Sequence, residues 1–218
     1  MKRRTLPVAV ALAASAALLL TACGGGENKS DPNDKIAGVG GGDPTESGSV
    51  SASPTQDVSR PDLSLPGDVK EDFEGWKTGV AAKDAILSDA GRSMTAVNRA
   101  ITDGDVNSPA LTFYYKGEAL AGAVQWVQTF IDHDATITGT TRYYSPTVDL
   151  SGKTTAAVTL CADESKVFNR FKKTNKVDRS APTNTSYVYY ISRLERNSEG
   201  VWVTSKVVSN RGSEKCIP

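Results

Sequence analysis

Few side chains in this sequence are equipped for acid–base chemistry. His133 is the only histidine, and Asp132 and Asp134 flank it. A His–Asp pair can act as a general base. The three residues fall where a helical pattern gives way to a polar turn, however, so His133 reads as a solvated helix-end residue. Asp163 and Glu164 form a second carboxylate pair near a strand end. Strand alternation sends them to opposite faces, so they do not share a site. Asp163 then reads as a hydrogen-bonding group at a strand end. No GxSxG, SxxK, HExxH or Walker loop occurs, and no catalytic set, metal site or cofactor is expected.

Other residues could bind rather than react. Tyr114, Trp126, Tyr143, Tyr190 and Trp202, with Asp163, could line a pocket. The competing role for the aromatics is plain core, since such side chains dominate core burial. The segment KVFNRFKKTNKVDRS carries Lys166, Arg170, Lys172, Lys173, Lys176 and Arg179. It could contact an anionic lipid surface or wall polymer, or it could be a solvated connection between strands.

Cysteine chemistry divides in two. The chain opens MKRRTLPVAVALAASAALLLTACGGG. Lys2, Arg3 and Arg4 make a positive start, and residues 8–20 make an apolar run too short for comfortable spanning. Leu20, Thr21, Ala22 and Cys23 then resemble the lipobox of bacterial lipoproteins, in which the thiol takes diacylglycerol and the peptide is cut before it. The resemblance implies that residues 1–22 are removed and that Cys23 carries two acyl chains, enough for stable anchoring at the extracytoplasmic face of the cell membrane. Cys161 and Cys216 remain as an even pair in an exported protein, which is most simply a disulfide.

Composition sets the limits. Loss of the three leader cations leaves 22 Lys and Arg against 25 Asp and Glu, a net charge of about −3. A weakly acidic protein has no electrostatic case for binding nucleic acid. All fifteen Phe, Trp and Tyr lie after residue 66, whereas residues 24–66 hold eight of the 19 Gly and five of the 10 Pro. Such a segment cannot bury enough apolar surface to offset its ordering entropy. Residues 23–66 are therefore expected to be the lipidated cysteine and a disordered tether, and residues 67–218 one folded domain.

The elements follow from periodicity. Leu87, Ala90, Met94, Val97 and Ile101 share one helical face over residues 81–102, ended by Gly104. Ser108 and Pro109 open a short helix, and residues 118–131 predict a third with Trp126 and Phe130 largely buried. Residues 69–76 are ambiguous. From residue 137 the pattern alternates, with strands over 137–144, 147–150, 154–163, 186–196 and 201–210 and a bulge or edge at Pro146. Helices followed by an antiparallel meander indicate an α+β fold, with N-terminal helices packed on a curved sheet.

Several segments resemble actinobacterial membrane lipoproteins with a nuclear transport factor 2-like domain, the cystatin-like cone. They are Val124-Gln125-Trp126-Val127, Thr138-Gly139-Thr140, the strand end from Cys161 to Ser165, Gly200-Val201-Trp202, and Arg211-Gly212 close to Cys216. The resemblance covers residues 68–218. It implies a cone fold shared by enzymes such as ketosteroid isomerase and by non-catalytic binding domains. The expected function is a non-catalytic domain that binds a small molecule or a protein partner. The alternative is a cone-fold hydratase or isomerase acting on a small apolar substrate.

Overall fold

The computed structural model describes residues 58–218. The leader expected over residues 1–22, Cys23 and the expected tether up to residue 57 lie outside the described residues. The order is β1 (Val69–Phe73), α1 (Ala81–Asp103), α2 (Pro109–Tyr114), α3 (Gly117–Asp132), β2 (Ala135–Ser151), β3 (Thr155–Phe171), β4 (Val177–Asp178), β5 (Tyr187–Arg196) and β6 (Trp202–Arg211). This is the α+β class read from the sequence. Among the described residues no helix is long and apolar enough to cross a membrane.

The sheet runs β1-β2-β3-β5-β6, with β4 paired to the far end of β3. Every pairing is antiparallel except β1 with β2, which makes the sheet mixed. A five-residue parallel edge strand has no periodic signature of its own, which is why residues 69–76 read as ambiguous. The β2–β3 hairpin is 17 residues on each side, far longer than the pattern suggests. Its register shifts twice, between Thr140 and Arg142 and between Tyr144 and Thr147. Such irregularities bend and twist a ribbon, and the second contains Pro146, as expected. The basic segment is a hairpin: Lys166 and Arg170 lie on β3, residues 172–174 turn, and β4 returns beside β3.

Helix α1 supplies the spine of two cores. Ile86, Leu87, Ala90 and Met94 pack on Tyr143, Val158, Leu160, Val188, Leu194 and Trp202 of the sheet. Ala96, Ala100 and Ile101 meet Leu111, Tyr114, Tyr115, Ala119, Ala123 and Val127 from α2 and α3. Gly104 caps α1 in the left-handed region at φ 71°, its N–H donating to Ala100 and Ile101 carbonyls. Helix α3 departs from expectation. Only Ala119, Ala123 and Val127 are buried, and Trp126 is 43% exposed. The small residues let α3 lie close to β6 while its aromatics stand over open space.

Folding also begins earlier than residue 67. Val58, Leu63 and Leu65 pack against the helical core, and Arg60 donates to Asp89 at 2.5 Å. Asp89 is 2% exposed and also accepts the Trp202 backbone N–H at 2.9 Å. The last nine residues of the expected tether are a strap held by apolar contacts and a half-buried ion pair.

Candidate functional site

A cavity of about 640 Å³ opens between α1, α3 and the sheet. Its apolar wall comes from Met94, Val97, Ile101, Phe130, Ile137 and Val167, residues that complete the helical and sheet faces without closing them. A second cavity of about 280 Å³ adjoins it and shares Val97, Trp126, Tyr190 and Arg211. Trp126 projects from α3 between the two, its ring edge-on to Phe130 with centroids 5.2 Å apart. The Arg211 guanidinium sits 5.6 Å from the Trp126 ring.

Polar side chains are as much a part of the lining, among them Thr129, His133, Thr141, Asn169 and Ser186, and at two points they form connected groups. Glu164 accepts from Arg211 at 2.6 Å. Register explains the meeting: Asp163 opposes Tyr187 and Val188 opposes Arg211, so the next inward residue of β3 faces the end of β6. Burial lowers the Arg211 guanidinium while Glu164 raises it, and the balance lies above the usual arginine value. The guanidinium therefore keeps its charge beside the carboxyl group that it bonds. Tyr190 stands beside it, its phenol pushed up by burial and then by the Glu164 charge.

The other polar point is a relay to the edge strand. Asn98 donates to Glu71 at 2.7 Å and to the Tyr143 hydroxyl at 3.3 Å, and Thr95 donates to Glu71 at 2.6 Å. Burial raises the Glu71 carboxyl against those two hydrogen bonds, and no cation pairs with it among the described residues. Burial, followed by the Glu71 charge, holds Tyr143 well above the usual tyrosine value, so its phenol stays neutral. Phe73 stacks on Tyr143 at 5.0 Å and fixes the ring from behind.

The residues expected to line a pocket divide. Trp126, Tyr143 and Tyr190 do line the cavity. Tyr114 and Trp202 do not: they are 0% and 5% exposed within the two cores. Asp163 also lies outside it, 3.8 Å from Arg142, which itself covers the Tyr144 ring. Alternation correctly separated Asp163 from Glu164, and Glu164 is the one that enters. His133 caps α3 and donates from Nδ1 to the Thr129 carbonyl at 2.7 Å, yet it also stands on the cavity rim. Asn98, Glu164 and Arg211 were missed because polar residues in amphipathic elements give no sign that they face a cavity.

The disulfide joins Cys161 to Cys216, with Cα atoms 5.5 Å apart. It holds the C-terminal tail on the outer face of the sheet, away from the cavity. There the Tyr144 hydroxyl donates to the Cys216 carbonyl, and Lys215 lies 4.6 Å from the Tyr189 ring. Among the described residues no group of three His, Cys, Asp or Glu side chains could hold a metal.

In the basic segment, Arg170 pairs with Asp68, Lys173 lies 3.9 Å from Asp134, and Arg179 covers the Phe168 ring at 5.1 Å. Lys166, Lys172 and Lys176 have no carboxylate within 4.0 Å among the described residues.

No protein-family model matches this chain, and no curated protein does so by sequence. Among solved structures it is similar to the intermembrane space region of the chloroplast protein ARC6, with 13% identity and a TM-score of 0.43 over 61% of this chain and 98% of that one. It is also similar to a ketosteroid isomerase-like protein from Erwinia carotovora atroseptica SCRI1043, with 16% identity and a TM-score of 0.39 over 59% of this chain and 95% of that one.

Proposed function

We propose that this chain is a lipid-anchored extracytoplasmic protein whose cone-like domain binds a small amphipathic ligand without transforming it. The observation that carries the binding role is the cavity between α1, α3 and the sheet. It combines apolar and aromatic residues with a comparable share of polar ones, a concave setting that can orient a ligand with both kinds of surface. The non-catalytic reading is supported by how the two connected polar groups are occupied. Glu164 is bonded by Arg211, and Glu71 is bonded by Thr95 and Asn98 behind the wall. The anchor is read from the positive leader, the apolar run and Cys23, and the cone family from the resemblance described above.

The environment-sensitive dye Nile red tests the cavity. Thr129 is exposed on its rim, so Thr129→Trp should obstruct the opening at little cost to the fold. The expected result is dye binding to the wild-type protein, about tenfold weaker in the variant, or roughly 1.4 kcal/mol, with the melting temperature unchanged. Dye affinity indifferent to this substitution refutes the site. For the anchor, Cys23→Ala should move the protein from the detergent phase to the aqueous phase on phase partitioning.

A further inference from the structure

The opening of the large cavity is bounded by exposed residues of α3, namely Trp126, Thr129 and His133, and by Asn169, Phe171 and Asp178 from the β3–β4 hairpin. The same hairpin carries the basic turn. Its geometry is held at several points: the Phe171 N–H donates to the Lys176 carbonyl at 2.9 Å, and the Lys172 N–H to the Asp134 carbonyl at 2.7 Å. Lys172 and Lys176 are exposed and have no acidic partner within 4.0 Å among the described residues, and the Lys173 side chain is 84% exposed. Phe171, 37% exposed, stands next to these three lysines.

We infer that this tip is a contact element for an anionic bilayer, which seats the cavity opening against lipid headgroups. An aromatic ring beside lysines matches an interface that is apolar below and negatively charged above. Charge complementarity selects the occupant: residues 166–179 carry six Lys and Arg against one Asp, whereas the rest of residues 58–218 carries 14 Lys and Arg against 18 Asp and Glu. Arg170 and Arg179, spent on Asp68 and Phe168, contribute less than the sequence suggests. The inference rests on the ligand-site reading only for what the orientation achieves; the contact itself stands apart from it.

The test uses residues 24–218, which carry every described residue and no acyl chain, with vesicles of phosphatidylglycerol in phosphatidylcholine and of phosphatidylcholine alone. Sedimentation should show binding to the anionic vesicles only, weakening as salt rises. Lys172→Gln with Lys176→Gln should lower the partition coefficient by about fivefold per lysine, and Phe171→Ser should lower it further, with unchanged melting temperatures. Lys153→Gln removes one such charge from the turn that precedes β3, at the opposite end of the ribbon, and should have no effect. Absence of binding by wild type at low salt overturns the inference, as does an equal loss from Lys153→Gln. Nile red binding without vesicles reports the cavity separately. Vesicle binding without dye binding would support the contact while removing the ligand reading.

Discussion

At the residue scale, Glu71 is the group whose behaviour follows most directly from its surroundings. Burial raises its carboxyl above the ordinary 4.5, and the donors Thr95 and Asn98 offset only part of that. A carboxyl raised in the folded state stabilises the fold below its unfolded value. That contribution is lost as pH rises through the folded value. Glu71→Gln stays neutral, keeps one oxygen for the Asn98 amide, and can donate from its NH2 to the Thr95 hydroxyl, which also has the Gly91 carbonyl to donate to. Its melting temperature minus that of the wild type should therefore increase from pH 4.5 toward neutrality. A difference that stays flat or declines would show that the carboxyl is not raised. None of this was legible in the sequence, where Glu71 is one acidic residue among polar neighbours. Residue type told equally little about the aromatics: Tyr143 and Tyr114 look alike, and only packing makes one a wall and the other a core.

At the scale of elements, the helices were legible because a buried stripe imposes a 3.6-residue period, and all three were located to within a residue or two. Strand lengths were not. The distal half of β3 places Lys166 and Arg170 outward and Val167 toward the cavity, an alternation that positive charge disguised as a solvated connection. The bend that lets one hairpin serve both cavity and outer face depends on Gly139. It sits at φ 107°, and a Cβ there would come within 2.0 Å of the Lys166 carbonyl oxygen. That contact is backbone against backbone and cannot be relieved by a rotamer change. Gly139→Ala should therefore cost more than about 2 kcal/mol, combining left-handed strain with the clash. Denaturant unfolding of the two proteins measures it; a loss below about 0.5 kcal/mol would mean that the ribbon can flatten at this point.

At the scale of the whole molecule, composition placed the boundary of the fold nine residues too late. Residues 58–66 share the tether's prolines and serines, but Leu63 and Leu65 alternate with exposed Asp62 and Ser64, a short period-two signal that the surrounding composition masked. The strap's hold on the domain can be reckoned from Arg60. Val58, Leu63 and Leu65 are only partly buried, and ordering the strap offsets what they contribute. Arg60 neutralises Asp89, which would otherwise be a charge buried beneath the sheet with only the Trp202 N–H for company. Arg60 is itself 29% exposed, so solvent screens the pair and its loss should cost about 1–3 kcal/mol. A protein beginning at residue 67 leaves Asp89 without its cation, and should be less stable than one beginning at residue 58 by about 1–3 kcal/mol, a fall of several degrees in melting temperature. Arg60→Ala in the longer protein should reproduce most of that loss, because it abandons Asp89 in the same way. If both proteins melt together, the strap contributes nothing and the fold begins at residue 67, where composition alone places it.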